Sequence, residues 1–201
     1  MTQPARTLIL PLLVALSGCF SGLNDKTPVQ QRYVLQPAAT TAAPAPGVPG
    51  AALQVLRPTA APGLAGDGIA VLRPGARLDF YSNARWAADA PAALQALIVE
   101  QLRVAGRFST VEAEGGPFAT QYLLSLDLTH FEARYGQDGP PTIEVELVAN
   151  LGLRSDRSVL QSFTARSSVR ADADRMQSVI AAFEQATGDA LTQLTAAVAP
   201  P

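Results

Sequence analysis

The chain has 201 residues, with 15 basic and 17 acidic side chains and a formal net charge of −2. Nucleic acids and anionic lipid headgroups select basic surfaces, and this charge balance does not supply one. A single cysteine excludes an intrachain disulfide. Stability must therefore come from a packed core, and the chain is long enough to bury one.

The chain starts with a short apolar run. Leu8–Leu16 follows Arg6 and has the length of the apolar part of a signal peptide, well short of the roughly 20 residues of a membrane span. It runs into Leu16-Ser17-Gly18-Cys19, which resembles a bacterial lipobox. The resemblance implies that residues 1–18 are a signal peptide and that Cys19 carries a lipid anchor. The alternative is a cytosolic protein with an apolar N-terminus and an ordinary buried cysteine.

The residue after the cysteine bears on location. In lipoproteins of this kind an aspartate there signals retention at the inner membrane, and this chain has Phe20. The resemblance therefore implies anchoring in the outer membrane, with the folded part facing the periplasm. Residues 19–32 are predicted to be the lipidated N-terminus and a tether.

A single domain is predicted over residues 33–199. Tyr33-Val34-Leu35 is interpreted as its first strand. Residues 37–50 are rich in proline and alanine and have no apolar periodicity, so they predict a flexible loop.

The next segments indicate strands. Leu53 and Val55 lie two residues apart, which suits one face of a strand. Ile69–Val71 and Leu78–Phe80 flank Pro74-Gly75, and this pattern predicts a β-hairpin.

A helix is predicted after the hairpin. Asn83–Ala88 is interpreted as the turn that leads into it, with Asp89 as the capping residue and Pro91 in the first turn. Leu94–Leu102 carries an apolar face at helical spacing, and Gly106 is placed to end the helix.

The second half of the chain predicts strands followed by a helix. Phe108–Val111 suggests a short strand, and residues 122–128, 143–153 and 159–169 alternate apolar with mostly polar side chains. The last three predict an antiparallel meander with one buried face.

The closing helix has an apolar stripe from Met176 to Val198, with Asp172 or Asp174 as its predicted cap. The fold class is therefore α+β, an antiparallel or mixed sheet with two helices packed on one face.

Little in the sequence indicates catalysis. The only histidine, His130, stands two residues before Glu132 on a predicted strand, a spacing that acid–base chemistry could use. No serine lies in a Gly-x-Ser-x-Gly elbow, and one histidine with scattered carboxylates is not a recognisable metal set. We predict a protein that is not an enzyme and holds no metal or cofactor.

Several segments together resemble a known family. They are, in chain order, the lipobox, the strand at Tyr33, Ile69-Ala70-Val71, Leu78-Asp79-Phe80-Tyr81, Asn83-Ala84-Arg85-Trp86-Ala87 followed by Pro91 and the Leu94–Leu102 helix, Tyr122–Glu132 and Val179-Ile180-Ala181-Ala182-Phe183-Glu184. The chain resembles the ABC-type transport auxiliary lipoproteins, the PqiC/YmbA-like group, over nearly all of the predicted mature protein.

This resemblance implies a non-catalytic role in lipid movement between the inner and outer membranes and in envelope integrity. The implied partners are a periplasmic MCE-domain protein and, through it, a permease and an ATPase, with the lipoprotein itself forming a ring-shaped homo-oligomer. The alternative is a structural lipoprotein that scaffolds an unrelated envelope complex.

Candidate partner contacts follow from residue type. Exposed arginines and aromatic residues near strand ends are frequent interface anchors. On this basis we predict partner contacts at Arg85, Trp86, Arg134 and Tyr135. For Trp86 the alternative is packing beneath the neighbouring helix.

Overall fold

The computed structural model describes residues 30–37 and 47–201. The predicted signal peptide, Cys19 and most of the tether lie outside this part of the chain. The elements, in chain order, are β1 (Gln31–Tyr33), β2 (Val48–Val55), β3 (Thr59–Ala60), β4 (Gly68–Arg73), β5 (Arg77–Trp86), α1 (Ala90–Ala105), β6 (Phe108–Ala113), β7 (Tyr122–Arg134), β8 (Thr142–Leu153), β9 (Val159–Arg170) and α2 (Met176–Ala197).

The predicted meander forms the larger part of the sheet. β8 pairs antiparallel with both β7 and β9, so that Leu147 stands opposite Leu128 on one side and Ala165 on the other. Alternate β8 residues, from Ile143 to Leu151, are fully buried, and the residues between them are only partly buried. The alternation of apolar and polar residues in the sequence therefore correctly indicates a sheet with one face in the core.

The other edge of β7 holds three parallel strands in succession. β2, β3 and β4 pair there through Leu53 with Tyr122, Thr59 with Asp127 and Ala70 with Glu132. Beyond them, β6 pairs with β2, while β5 and then β1 extend the sheet from β4. The sheet is thus mixed, and the predicted α+β class is confirmed.

Both helices pack on the sheet and contact each other. α1 lies against β6 and β2, and α2 lies against β8 and β9. Their buried residues include Leu94, Ile98, Phe183 and Leu191. None of the helices in the described ranges is long and apolar enough to cross a membrane.

The limits of α1 agree with the sequence. The Asp89 carboxylate accepts a hydrogen bond from the backbone N–H of Ala92 at 2.9 Å, with Pro91 in the first turn. Gly106 ends the helix with φ of 66°, a left-handed conformation that glycine adopts without a Cβ penalty.

The predicted cap of α2 is wrong. Its N-cap residue is Arg175, which makes no side-chain capping bond. Asp174 instead accepts a 2.6 Å hydrogen bond from the Tyr135 hydroxyl, so its carboxylate is used to tie α2 to the end of β7.

Three predicted boundaries near β1, β2 and β5 are also wrong. β1 covers Gln31–Tyr33, because Tyr33 pairs with Trp86, the last residue of β5, and no partner strand among the described residues continues beyond it. The pairing with β1 also extends β5 to Trp86, so residues 83–86 belong to a strand and not to a turn. β2 begins at Val48, inside the predicted loop, whose residues 38–46 lie outside the described ranges.

Removing the α1 cap should measurably destabilise the domain. Partial burial alone would raise the pKa of Asp89, but the hydrogen bond from Ala92 and the contact with Arg57 outweigh it, so the pKa lies below its ordinary value of 3.8. Asp89→Ala should cost about 1 kcal/mol of unfolding free energy at neutral pH, measured by urea denaturation.

The pH dependence gives that cap a second test. Because the pKa is lower in the folded chain, the stabilisation by Asp89 is fully present above 3.8 and is lost as the pH falls through the folded value. The difference between wild type and Asp89→Ala should therefore shrink in acid. Asp138→Ala, at an exposed loop position, is the control and should change stability by less than about 0.5 kcal/mol. An equal loss in both variants would contradict the capping role.

Candidate functional site

An apolar groove lies where the start of α1 meets the ends of β1 and β5. It has a volume of about 270 Å³. Tyr33–Leu35 forms one wall, and Ala93, Ala96 and Leu97 of α1 form the other, with Trp86 and Phe131 also lining it. None of the described residues that line the groove carries a charge. The groove therefore presents an uncharged, apolar surface to any group that enters it.

Aromatic packing fixes the floor of the groove. The Trp86 ring lies 5.6 Å from that of Phe131 and 5.1 Å from that of Phe183, and the Phe131 and Phe183 rings are themselves 5.1 Å apart, centroid to centroid. Trp86 is 2 % exposed and Phe183 is fully buried. The three rings come from β5, β7 and α2, so the floor is held by three elements at once.

Backbone hydrogen bonds join the floor to one wall. The Trp86 N–H donates to the Asp67 carbonyl at 2.7 Å, and the Ala87 N–H donates to the Tyr33 carbonyl at 2.7 Å. Val34, which follows Tyr33, is 59 % exposed. The groove is thus an open site with a fixed base.

The floor carries one unused polar group. The indole Nε1 of Trp86 is buried and has no hydrogen-bond partner among the described residues. Buried donors are almost always paired, because an unpaired one loses its hydration without replacement. Because this nitrogen is shielded from solvent, it presents no donor to the groove.

The structure separates the four predicted contact residues into two places. Arg85 pairs across the sheet with Gly68, whereas Arg134 pairs with Leu72. Gly68 and Leu72 are four positions apart on β4, which is about 13 Å along a strand. They do not form one site, and their role in partner binding stays a prediction.

Each of these residues also has a role inside the domain. Arg85 forms an ion pair with Asp67 at 3.0 Å, and Arg134 contacts the carboxylates of Glu132 at 3.1 Å and Glu144 at 3.3 Å. Trp86 is buried against the rings of Phe131 and Phe183, and it also lines the groove. These contacts occupy the side chains that the sequence suggested for a partner.

Tyr135 connects two elements through its hydroxyl. It donates to Asp174 at 2.6 Å and lies 2.9 Å from the Tyr81 hydroxyl, with the Arg73 guanidinium 5.0 Å from its ring centre. Burial and the bond to Asp174 raise the pKa of Tyr135, and burial raises the pKa of Tyr81. Both hydroxyls therefore stay protonated at neutral pH and act as hydrogen-bond donors.

His130 lies in an ion network on the sheet. Its Nδ1 is 2.9 Å from Glu132, whose other oxygen accepts from the Phe131 N–H at 2.7 Å. His130, Glu132 and Glu144 bring their ligand atoms within 4.8 Å of one another, a set that reasoning from the sequence missed. The register of β7 with β8 places Glu132 opposite Glu144, and no sequence pattern shows that pairing.

The carboxylates of this set are already balanced by cations. Arg134 contacts both Glu132 and Glu144, and Arg166 lies 3.7 Å from Glu144. A metal ion would have to displace these contacts. The arrangement acts as a charge network that ties β7, β8 and β9 together.

The geometry therefore defines a mixed-sheet α+β domain with an apolar groove. The sequence profile of the ABC-type transport auxiliary lipoprotein component matches residues 33–199. The chain belongs to this family, as its resemblance predicted, and family membership places it in the cell envelope.

Solved structures share the fold. A crystal structure of a Xanthomonas campestris protein is 28% identical, with a TM-score of 0.70 over 82% of this chain and 92% of that one. A second crystal structure, of an uncharacterized protein, is 16% identical, with a TM-score of 0.61 over 84% of this chain and 97% of that one. No curated protein matches the chain.

Proposed function

We propose that this protein is a non-catalytic, periplasm-facing lipoprotein that assists an MCE-type ABC system in moving lipids between the inner and outer membranes. The family match over residues 33–199 carries the proposal, since it covers the whole predicted domain. The lipobox ending at Cys19 supports a lipid anchor, and Phe20 supports the outer membrane as its location.

The proposed mechanism is positional. Each methylene of an acyl chain that is moved into water costs about 0.8 kcal/mol, so lipid transfer between membranes needs a sheltered path. Cys19 would fix the protein to the membrane, the tether would give it reach, and the domain would dock on the tunnel of the MCE partner. A ring of several copies would extend that tunnel.

The chemistry of the described side chains agrees with an auxiliary role. The imidazole of His130 is held by Glu132, and Glu132 is itself held by Arg134 and by a backbone N–H. This carboxylate is engaged on both oxygens and is poorly placed to activate a substrate. The described residues that line the groove present mainly alkyl and aromatic surface, which suits binding.

The experiment that tests the proposal is mass spectrometry of what co-purifies with the tagged, lipidated protein from gently solubilised membranes. We expect an MCE-domain protein together with its permease or ATPase, and native mass measurement of the same sample should show several copies of this chain. A tagged lipoprotein of another envelope complex serves as the control for survival of assemblies. Recovery of a different envelope complex without an MCE protein would favour the scaffold alternative.

A further inference from the structure

We infer that residues 26–29 of the tether continue β1 as a parallel strand along the open edge of β5, opposite Asp79–Ser82. These tether residues lie outside the described ranges, whereas the β5 edge lies within them. The biological role of this pairing rests on the proposed function, in which a lipid anchor on Cys19 and its tether hold the domain close to the membrane.

The outer edge of β5 is open over most of its length. β1 pairs with β5 only at Ala84–Trp86, and in the described part of the chain no strand pairs with that edge from Arg77 to Asn83. Phe80, in the middle of this stretch, is 49 % exposed. Proteins normally cover or block an edge strand that carries exposed apolar side chains, because it can pair with another chain. The edge therefore has room for one more strand.

The inner partner of β5 leaves part of the strand without regular pairing. The register of β5 with β4 shifts between Phe80 and Arg85, where β5 has three more residues than β4. Residues 81–84 therefore lack regular partners on β4. Gln31 of β1 already pairs with Ala84 from the open side. A strand that continued β1 would supply partners to the residues before Ala84 in the same way.

The chain already runs along this edge where the tether ends. β1 is parallel to β5, with Gln31 opposite Ala84. The preceding residue, Gln30, accepts a 3.0 Å hydrogen bond from the Arg85 guanidinium. Continued at the same register, residues 26–29 fall opposite the part of β5 that no described strand covers.

The side chains of the tether suit a strand at this register. Thr27 and Val29 are β-branched, a type that strands favour. Thr27 falls opposite Phe80 and Val29 opposite Ser82, on one face of the extended sheet. Both would cover the exposed ring of Phe80.

The proline of the tether is compatible with this pairing. The Tyr33 carbonyl accepts from the Ala87 N–H at 2.7 Å, so the backbone groups of Tyr33 point toward β5. Backbone groups alternate in direction along a strand, so those of Thr27 and Val29 also face β5 and those of Pro28 face away. An edge strand tolerates a proline whose missing N–H would point to solvent.

Proximity favours the tether over a second chain as the occupant. The tether is joined directly to β1, so its effective concentration at the edge is about millimolar or higher. A second copy of this chain, or a strand of a partner, would have to compete with it from solution. The edge is therefore assigned to the tether of the same chain.

The pairing would determine how the domain stands on the membrane. Eleven positions separate Cys19 from Gln30, a maximum reach of about 36–40 Å. With residues 26–29 held on β5, seven positions remain between Cys19 and Lys26, or about 23–25 Å. The tether then leaves the sheet in the direction of the turn between β4 and β5, and this turn faces the bilayer.

The first test is disulfide formation in the native, lipidated protein in phosphatidylcholine nanodiscs. Thr27→Cys and Phe80→Cys place two thiols on directly opposite residues, about 4.8 Å apart between Cα atoms and within disulfide range. Thr27→Cys with Ala65→Cys is the matched control, because Ala65 is exposed and its loop carries Asp67, which contacts Arg32 of β1 at 3.6 Å. Within one chain, the first pair should close about tenfold faster or more under limiting oxidant.

A second pair keeps this test valid if the loss of Phe80 disturbs the fold. Val29→Cys and Ser82→Cys occupy the next opposite positions on the same face, and Ser82 is exposed. This pair should also close faster than the Ala65 control. Peptide mass spectrometry identifies the joined residues and separates disulfides within one chain from those between two chains.

The second test measures amide hydrogen exchange of residues 77–83 in the same nanodiscs, without any added cysteine. Thr27→Pro removes an N–H that faces β5, so exchange across this segment should become about tenfold faster or more. Ser21→Pro, outside the paired stretch, is the matched control and should exchange like wild type.

Three outcomes would overturn the inference. They are disulfides to β5 that close no faster than the Ala65 control, disulfides that join two chains, which would assign the edge to a second copy, and exchange that Thr27→Pro leaves unchanged. None of them depends on the co-purification result. Conversely, a paired tether in a protein that recovers no MCE partner would contradict only the proposed transporter role.

Discussion

Phe183→Ala is expected to destabilise the domain by about 3–5 kcal/mol. Phe183 is fully buried, and its ring contacts those of Trp86 and Phe131 at 5.1 Å each. The substitution removes a large apolar side chain from the core and leaves a cavity beneath both remaining rings. Because these rings belong to three different elements, the surroundings cannot collapse to fill the space without moving a strand or a helix.

Chemical denaturation followed by circular dichroism measures this loss. The matched control is Phe118→Ala, because Phe118 is 67 % exposed and the same atoms are removed from the surface. The control should change the free energy of unfolding by less than about 0.5 kcal/mol. Comparable losses in the two variants would show that the three-ring cluster contributes no more than an exposed phenylalanine does.

The elements with local signals could be predicted from the sequence. α1 is specified by Asp89, Pro91 and Gly106, each of which acts on its immediate neighbours. The meander is specified by alternation within each strand and by turn residues between strands. In both cases the determinants lie within a few residues of the structure that they produce.

The pairing of distant strands could not be predicted in the same way. β2, β3 and β4 all run parallel to β7, and no turn sequence fixes the register of a parallel pair. The ends of β1 and β5 were predicted wrongly for this reason. The two strands pair with each other, and both end at the pair formed by Tyr33 and Trp86. The cap of α2 was predicted wrongly because Tyr135, distant in sequence, bonds to Asp174.

The groove depends entirely on such distant pairing. Its residues come from the end of β1, the end of β5, the start of α1 and the middle of β7. Only the parallel pairing of Tyr33 with Trp86 brings the first two together. The one indication in the sequence is a lone tryptophan directly before an alanine-rich helix start, and such a residue more often belongs to the core than to a binding site.

The exposed edge of the meander limits how copies of the chain can associate. In the described part of the chain β9 pairs only with β8, so its outer edge has no strand partner. Gln193 of α2 covers the middle of that edge, because its side-chain amide accepts from the Arg166 N–H at 3.0 Å and donates to the Arg166 carbonyl at 2.8 Å. Edge strands blocked in this way resist pairing with a second chain. The proposed ring is therefore better built from other surfaces.

Cys19→Ser is expected to abolish lipid attachment completely. In lipoproteins of the resembled kind the lipid is added to the cysteine before the chain is cut, so the variant should carry no acyl group and should keep residues 1–18. Each acyl chain contributes about 0.8 kcal/mol of membrane affinity per buried methylene, and one chain alone gives only marginal binding.

Metabolic labelling with an alkyne fatty acid, followed by mass spectrometry of the N-terminal peptide, measures both parts of this prediction. Wild type should yield an acylated peptide that begins at Cys19, and Cys19→Ser an unlabelled chain with an intact N-terminus. Ser21→Ala, two residues further on, is the matched control and should be labelled and cut like wild type. Labelling that survives in Cys19→Ser would contradict the lipobox assignment, and without the anchor the proposed position of the domain beside the outer membrane would lose its physical basis.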